Sequence, residues 1–173
     1  MPDLDDQYHF FWSGPFSQWK RAEFELDGDR FNTAEQAMMV GKARVFGDES
    51  MARKILTTRD ARKQKALGRQ VRGFDPAVWD AAKVDIVRSA NLAKFSQKRG
   101  LRRKLFETGH RLLVEASPLD AIWGIGLDEA TARETDPQLW PGQNLLGQIL
   151  TEVREILRLE FQEVAISVAT DGC

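Results

Sequence analysis

Hydrophobic and polar residues alternate as they do in strands only in short stretches of this chain. Tyr8–Trp12 is an apolar run typical of a buried strand, and Ala22–Leu26 alternates with a period of two. Asp27-Gly28 follows at once, and this pair favours the tight turn of a β-hairpin that returns through Phe31. The pattern therefore predicts a strand and a hairpin near the start, and a further strand at Leu112–Val114.

From residue 32 onward the periodicity is mostly helical, and the expected helices begin at polar residues. Thr33 and Gln36 have the spacing of a capping box, which predicts a helix over residues 32–46 that ends at Gly47. Aspartates placed as N-caps predict most of the helices that follow. The further predicted helices run from Asp48 to about Leu56, from Asp60 to about Leu67, from Asp75-Pro76 to about Gln97, over Leu101–Thr108, and over Leu145–Leu159. Residues 117–143 are expected to form a loop.

Many helices and few short strands make a single compact, helix-rich α+β domain the expected fold class. The length of 173 residues is that of one domain, and 42% hydrophobic and 29% charged residues are ordinary for a globular protein. We expect residues 1–7 to be an N-terminal extension, residues 8–160 to be the domain, and residues 161–173 to be a C-terminal tail. Four tryptophans are expected to lie in the core, namely Trp12, Trp19, Trp79 and Trp140.

Composition also limits the compartment and the kind of site. No segment approaches the roughly 20 uninterrupted apolar residues that a membrane-spanning helix needs, and the acidic start is unlike a signal peptide. A single cysteine, Cys173, excludes an intramolecular disulfide and favours a reducing compartment. We therefore expect a cytoplasmic protein. With two histidines and one cysteine, neither a metal site nor a cofactor is expected, and the oligomeric state stays open.

Charge is distributed unevenly, although the net charge is only −1. Residues 53–104 contain 16 Lys and Arg against 4 Asp and Glu, whereas the rest of the chain contains 9 against 22. Concentrated positive charge favours a phosphorylated ligand, and Arg69 is one candidate to bind it. The alternative is a set of solvated helix faces that acidic neighbours neutralise. The sequence leaves both interpretations open.

The predicted helix over residues 32–46 carries the strongest candidate for chemistry. It contains only three charged residues, so it is apolar on almost every side and is expected to be buried. Glu35 and Lys42 lie seven residues apart, on one stripe of this helix and roughly 10 Å apart along its axis. A buried carboxylate and amine are costly unless they are paired or used. The spacing therefore favours convergence on one bound molecule, with a structural ion pair as the alternative.

The loop at 117–143 holds a second candidate. Asp120 lies close to Trp123 in a glycine-containing segment, an arrangement suited to stacking a flat heterocycle while polar groups read its edge. The alternative is that Asp120 caps a turn and Trp123 belongs to the core. Asn144, immediately before the last predicted helix, is also a good helix N-cap.

Several motifs, in order, resemble the NADAR/YbiA family of N-glycosidases over about residues 8–158. The matching stretches are Phe10-Phe11-Trp12, Gly14-Pro15-Phe16-Ser17-Gln18-Trp19, Phe31-Asn32-Thr33-Ala34-Glu35-Gln36-Ala37-Met38-Met39, Lys42-Ala43, Phe46-Gly47-Asp48, Gly68-Arg69, Trp79, Ala93-Lys94-Phe95, Asp120-Ala121-Ile122-Trp123-Gly124-Ile125-Gly126, and Asn144-Leu145-Leu146-Gly147. No single motif is decisive, but the ordered set is specific. In the loop at 127–143, Leu139–Gln143 departs from the more glycine-rich stretch of YbiA-type members.

The resemblance implies a hydrolase that cleaves an N-glycosidic bond. Members related to YbiA hydrolyse phosphoribosylamino-pyrimidine intermediates of riboflavin synthesis, whereas others remove ADP-ribose from modified guanine in nucleic acid. A non-catalytic module that binds ADP-ribose or a nucleotide is a third alternative. The expected partner is a small phosphorylated N-riboside, or ADP-ribosylated nucleic acid in the second case, and no membrane is expected.

By residue match, the resemblance places catalytic roles on Glu35, Lys42 and Asp120. The residues expected to bind substrate are Phe11, Ser17, Arg69, Trp79, Trp123, Gly124 and Asn144. Breaking a ribosyl C–N bond develops positive charge at the anomeric carbon, which a nearby carboxylate such as Glu35 stabilises. A buried lysine with a lowered pKa can attack an opened sugar aldehyde and form an imine, which is the role considered for Lys42.

Overall fold

The computed structural model describes the backbone of residues 4–170 and the side chains of residues 4–162. The helices are α1 Leu4–Gln7, α2 Ala34–Val45, α3 Glu49–Leu56, α4 Ala61–Gly68, α5 Pro76–Gln97, α6 Arg99–Glu107, α7 Glu129–Glu134 and α8 Leu145–Thr170. The strands are β1 Tyr8–Phe11, β2 Phe24–Leu26, β3 Asp29–Phe31 and β4 Leu112–Glu115. The predicted fold class, helix-rich α+β with few short strands, is confirmed.

The chain divides into two compact units, which we name by their place in the sequence. The middle unit is Trp12–Lys98, and the terminal unit combines Met1–Phe11 with Arg99–Cys173. The predicted boundaries at residues 8 and 160 stay a prediction. Helix α8 continues to Thr170, so the prediction that this helix ends near Leu159 is wrong.

Helix α2 packs against α3, α4 and α5 in the middle unit. It buries most of its residues, as its apolar sequence predicts. Close packing depends on two glycines. A Cβ at Gly41 would lie 2.7 Å from Ile86 on α5, and a Cβ at Gly68, at the end of α4, would overlap the Met39 side chain. Gly41 therefore lets α2 approach α5 closely, and Gly68 lets α4 approach α2 closely, so that these interfaces exclude water.

The predicted N-caps are present in the middle unit. Asp48, Asp60 and Asp75 each accept a hydrogen bond from a backbone N–H in the first turn of α3, α4 and α5. Thr33 caps α2 through the Gln36 N–H, but the Gln36 side chain accepts from the Asn32 N–H, one residue earlier than in a capping box. The Gln36 amide also donates to carbonyls at the end of α3, so this cap joins two helices.

The predicted hairpin is also present: β2 and β3 pair in antiparallel fashion, with Phe24 opposite Phe31. Asp27 and Gly28 connect them with φ of 52° and 85°, the left-handed conformations that a two-residue hairpin turn requires. Only glycine adopts these angles without strain and Asp tolerates them, which explains why this dipeptide marks the turn.

In the terminal unit, β1 and β4 pair in parallel, with Tyr8 opposite Leu112 and Phe11 opposite Glu115. Helix α8 packs on β4 and on α6. A core forms under the loop that follows β4, with aromatic residues of β1 packed against it. Its buried members are Val114, Ala116, Ile125 and Ala132, and Tyr8, Phe10 and Trp140 pack beside them.

Two of the four tryptophans expected in the core are exposed. Trp79 is buried and Trp140 is partly buried, whereas Trp12 and Trp19 are 57% and 42% exposed. Both exposed rings lie on the irregular segment after β1, where no sheet or helix periodicity fixes a buried face. The prediction of a core position for Trp12 and Trp19 is therefore wrong.

The basic segment at 53–104 contributes exposed cations to both units. On α3 and α4 the lysines and arginines are exposed, except Lys65, which is partly buried. Arg59 and Arg72 are also exposed, and they pair with Glu23 and Asp48. Acidic neighbours thus neutralise part of the positive charge, and both interpretations of the basic segment stay predictions. Among the described residues, no helix has both the length and the apolar character that crossing a membrane requires.

Candidate active site

Glu35 lies in the first turn of α2, where backbone N–H groups and the helix dipole favour a negative charge. Its residue is only 6% exposed, so little water surrounds the carboxylate. The Glu35 N–H donates to the Gln18 carbonyl at 3.0 Å, which fixes the backbone that carries this side chain. Glu35 is thus an acidic group held on a rigid element in a water-poor environment.

Lys42 lies two turns further along the same helix and is enclosed by aromatic rings. Its Nζ lies 4.5 Å from the centroid of the Phe74 ring and 5.7 Å from that of Trp79. Burial lowers the pKa of Lys42 from its ordinary value, and the positive charge of Arg69 lowers it further, whereas Glu35 opposes both effects. The charges of Glu35 and Lys42 therefore interact, as their shared stripe predicts, and Lys42 loses its proton more easily than an exposed lysine.

The segment after α4 and the start of α5 carry three residues that interact with Lys42, namely Arg69, Phe74 and Trp79. Arg69 is the C-cap residue of α4 and is exposed, in a position to meet an anion. Asp48 anchors this segment: it accepts from the backbone and side chain of Arg72, which lowers the pKa of Asp48 to about 2. Trp79, in the first turn of α5, is buried, and its ring lies 5.7 Å from the Lys42 Nζ, while its assignment to substrate binding stays a prediction.

Phe74 is a candidate that the sequence analysis missed. Its ring is 46% exposed and lies edge-on to Phe46 at 5.4 Å, while its face meets the Lys42 amine. An exposed aromatic face next to an amine is suited to stacking a flat base. The signal in the sequence is its place immediately before the Asp75-Pro76 helix start, where a large apolar residue has no periodicity to explain it.

Phe11 and Ser17 belong to different units, and each has a structural contact. Phe11 ends β1 and is buried, with its carbonyl accepting from the Ala116 N–H. The Ser17 hydroxyl accepts from the Trp19 N–H, and its carbonyl accepts from Lys94. Their assignment to substrate binding stays a prediction.

In the terminal unit, Asp120 caps a turn, which is the structural role that the sequence analysis gave as the alternative to ligand binding. Its Oδ1 accepts from the backbone N–H groups of Ile122 and Trp123 at 2.9 and 2.8 Å, so it caps the turn that carries the partly buried indole. Gly124 is required for packing, because a Cβ there would lie 2.7 Å from the Glu115 carbonyl oxygen. A carboxylate fixed in this way also presents its second oxygen in a defined direction, so its catalytic assignment stays open as a prediction.

Asn144 precedes α8 as predicted, but its side chain does not cap the helix. The amide bridges to β4 instead: Oδ1 accepts from the Glu115 N–H and Nδ2 donates to the Leu113 carbonyl, both at 3.0 Å. With φ of 54°, Asn144 adopts the left-handed conformation, which points the amide toward the strand. The predicted N-cap contact is therefore wrong, and this side chain uses one donor and one acceptor to hold β4 within the terminal unit.

We expect Asn144→Ala to lower the free energy of unfolding by about 3 kcal/mol, because it leaves two buried backbone groups of β4 unsatisfied and strains a residue with positive φ. Urea unfolding followed by circular dichroism measures the change. Gln143→Ala is the control, since this exposed neighbour uses its backbone rather than its side chain in hydrogen bonds. A loss under about 1 kcal/mol for Asn144→Ala would contradict this bridging role.

The predicted site residues thus fall into two groups. In the middle unit, Trp79 lies beside the Lys42 amine, and the charges of Glu35 and Arg69 act on it. Asp120, Trp123, Gly124 and Asn144 lie together in the terminal unit, where the Asp120 carboxylate accepts from the Trp123 N–H and the Gly124 carbonyl accepts from the Asn144 N–H. In the part of the chain that the structure describes, no three His, Cys, Asp or Glu side chains are grouped as a metal site needs.

Comparisons with known proteins identify relatives along most of the chain. The NADAR domain family model matches residues 10–158. N-glycosidase R617 of Acanthamoeba polyphaga mimivirus is 47% identical over 145 residues, which cover 81% of this chain and 85% of that protein. N-glycosidase YbiA of Escherichia coli strain K12 is 30% identical over 147 residues, which cover 85% of this chain and 83% of that one.

The fold is shared as well. The NMR structure of E. coli YbiA superimposes with a TM-score of 0.76 at 29% identity, covering 91% of this chain and 89% of that one. The predicted resemblance and the predicted enzyme class, a hydrolase acting on N-glycosyl compounds, are confirmed by these relatives. With a family model matched over residues 10–158 and related proteins covering more than four-fifths of its length, the chain belongs to the NADAR domain family.

Proposed function

We propose that this protein hydrolyses the C–N bond between a phosphorylated ribose and an amino-pyrimidine, the class of bond found in riboflavin intermediates. The observation that carries the proposal is the electrostatic pair of Glu35 and Lys42 on the buried helix α2, with the aromatic rings of Phe74 and Trp79 beside the amine. A binding module needs the aromatic wall but not a lysine whose pKa burial lowers. The pair therefore favours catalysis over binding alone.

The carboxylate of Glu35 supplies the electrostatic part of the reaction. As the ribosyl C–N bond weakens, positive charge develops at the anomeric carbon and the ring oxygen. A negative group in a water-poor environment stabilises this charge strongly, because little solvent screens it. Glu35 also offers a base for the water molecule that attacks the sugar. Asp120 is proposed to bind the base or the ribose hydroxyls.

Lys42 is proposed to act as a nucleophile on the ring-opened sugar. In the ring-opened form C1 is double-bonded to the nitrogen of the base. The neutral Lys42 nitrogen adds to C1 and both bonds from C1 to the base nitrogen break, which leaves a C1=N imine to Lys42, and both hydrogens of the Lys42 amine leave on the released amine of the base. Water then hydrolyses the imine, which returns free Lys42 and ribose phosphate. The net reaction is hydrolysis of the C–N bond, so no cofactor is consumed.

The substrate test uses purified protein with three probes: a phosphoribosylamino-pyrimidine, DNA carrying ADP-ribosylated guanine, and free ADP-ribose. Release of the pyrimidine amine and ribose phosphate from the first probe, measured by liquid chromatography and mass spectrometry, would support the proposal. Faster release of ADP-ribose from the second would assign the protein to nucleic-acid repair instead. Tight binding of ADP-ribose with no cleavage of either substrate would indicate a binding module.

Arg69 is expected to bind the phosphate of the substrate, because it is exposed and its charge acts on Lys42. Affinity for the phosphorylated riboside should therefore fall several-fold with Arg69→Ala and with salt, which screens an exposed ion pair. The dephosphorylated riboside should respond to neither change. Arg53→Ala removes an equally exposed cation from α3 as a control. Equal losses for the two ligands, measured by calorimetry, would show that the basic segment is only a solvated face.

We further propose that the reaction takes place in the cytoplasm. A chain with one cysteine cannot rely on an intramolecular disulfide, and a water-soluble phosphorylated riboside is a substrate of that compartment. Fractionation of cells that express the tagged protein tests this assignment.

A further inference from the structure

A polar cluster of the middle unit is hydrogen-bonded to the backbone of Glu35, and the reaction proposed above does not use it. The cluster consists of Ser17 and Gln18, on the loop of residues 14–20, and of Asn91 and Lys94, on α5. Asn91 and Lys94 are 0% exposed, so no substrate can touch their side chains. Burying a lysine lowers the stability of a protein unless its amine is paired, hydrogen-bonded or used, so the buried position of Lys94 calls for an explanation.

The contacts of this cluster run from α5 to the loop. The Lys94 Nζ donates to the Ser17 carbonyl at 3.1 Å, and the Asn91 Nδ2 donates to the Gln18 Oε1 at 2.9 Å. Phe16 stacks on Phe95 next to them, with ring centroids 6.3 Å apart. Two side-chain donors and one ring of α5 therefore fix consecutive residues of the loop.

The same loop residues also hold the first turn of α2. The Gln18 carbonyl accepts from the Glu35 N–H at 3.0 Å, and the Gln18 amide lies 4.0 Å from the Met38 sulfur, one turn further along the helix. A continuous chain of contacts thus leads from Lys94 through Ser17 and Gln18 to the backbone of Glu35. A carboxylate that stabilises a transition state loses up to about 100-fold in rate when it moves by an ångström.

From this chain of contacts we propose that Lys94 is a positioning residue, which fixes the loop of residues 14–20 and through it the place of Glu35 in the reaction. The inference rests on the proposed function of Glu35. Lys94 acts as a hydrogen-bond donor to a main-chain carbonyl, a role that needs an amine at this depth but does not need contact with substrate.

The lowered pKa of Lys94 is consistent with this role, and it predicts a pH dependence of stability that can be measured. Burial lowers the pKa of Lys94 to about 7. Among the charged side chains of the loop, α2 and α5, Lys20 on the loop adds to this effect through its positive charge. The folded-state value lies below the unfolded one, so the contribution of Lys94 to stability is most favourable above the unfolded pKa and is lost as pH falls toward 7. Replacing Lys94 with an apolar residue of similar shape should therefore stabilise the fold most near pH 7.

The test compares Lys94→Met with wild type by amide hydrogen exchange at Glu35 and by steady-state kinetics. We expect Lys94→Met to melt at the same or a higher temperature at pH 7, with this gain shrinking toward pH 10. We also expect faster exchange of the Glu35 N–H, and a kcat lower by roughly 10- to 100-fold with KM nearly unchanged. A merely structural lysine would leave both the exchange of the Glu35 N–H and the kinetics of the folded protein unchanged.

Two further variants keep the inference testable. Asn91→Leu removes the neighbouring donor to the loop and should also accelerate exchange at Glu35. Lys83→Met is the matched control, because Lys83 is a buried lysine of the same helix whose amine pairs with Asp80, a residue of α5 itself. Unchanged exchange at Glu35 in Lys94→Met, or equal acceleration in Lys83→Met, would overturn the inference. Failure of wild-type protein to cleave any riboside would instead contradict the proposed function, because the exchange measurement does not depend on activity.

Discussion

Glu35→Gln is expected to lower the turnover of an N-riboside by roughly two orders of magnitude or more, which is the loss typical of removing one electrostatic stabiliser. Glutamine keeps the size of the side chain and much of its hydrogen bonding but removes the negative charge. Because Glu35 is buried at the start of α2, that charge is poorly screened and has its largest effect on a developing cation. Binding of the ground state should change little, because its anomeric carbon does not yet carry the positive charge that Glu35 stabilises.

The measurement is single-turnover release of the base together with ligand binding by calorimetry. Glu25→Gln is the control, because it removes the same charge from an exposed position of the same unit, where its pair with Arg30 contributes little to stability. Near-normal turnover by Glu35→Gln would move the catalytic carboxylate to Asp120 or favour a binding module. A large loss in the Glu25→Gln control would show that the effect is a general one of charge.

Lys42→Ala is expected to be inactive, and borohydride added during turnover is expected to attach sugar to the wild-type protein but not to Lys42→Ala. Borohydride reduces an imine to a stable amine, so the adduct is visible by mass spectrometry and can be mapped to Lys42. Lys54→Ala, which removes an exposed lysine of α3, should be labelled like wild type. Turnover without any trapped sugar would exclude the imine and leave Lys42 as an electrostatic or binding residue.

The pH dependence of turnover gives a second readout of the same lysine. An imine forms only from the neutral amine, so turnover should rise with pH through the pKa of Lys42, which burial and Arg69 hold below its ordinary value. Arg69→Ala removes a neighbouring positive charge and should shift this rise to higher pH. Glu35→Gln removes the opposing negative charge and should shift it to lower pH, although the rate itself is smaller. Identical profiles in all three proteins would contradict a role for the neutral amine of Lys42.

The local elements of this fold could be predicted because their signals are local. Caps such as Asp48 and Asp60 act within one helical turn, and the Asp27-Gly28 turn depends only on backbone angles that these two residues accept. The stripe that carries Glu35 and Lys42 follows from helical periodicity in the same way. The family resemblance added the order of the motifs, which periodicity alone does not give.

The contacts that decide the site could not be predicted because they join residues far apart in the chain. Asn144 has the sequence of a helix cap, yet its amide bonds to β4, since a positive φ turns the side chain toward a strand that only tertiary packing brings near. Phe74 and Trp79 lie beside Lys42 because α4 and α5 pack on α2, and Lys94 meets Ser17 across 77 residues of chain. The sequence by itself thus determined the helices α2 to α6, the start of α8 and the side chains that share a face of α2, whereas α1 was not predicted and α7 lies within residues 117–143, which were wrongly expected to be loop throughout. The tertiary structure decided which amine is enclosed by aromatic rings and which carbonyl receives a buried lysine, because burial and its effect on pKa depend on every element that packs around a group.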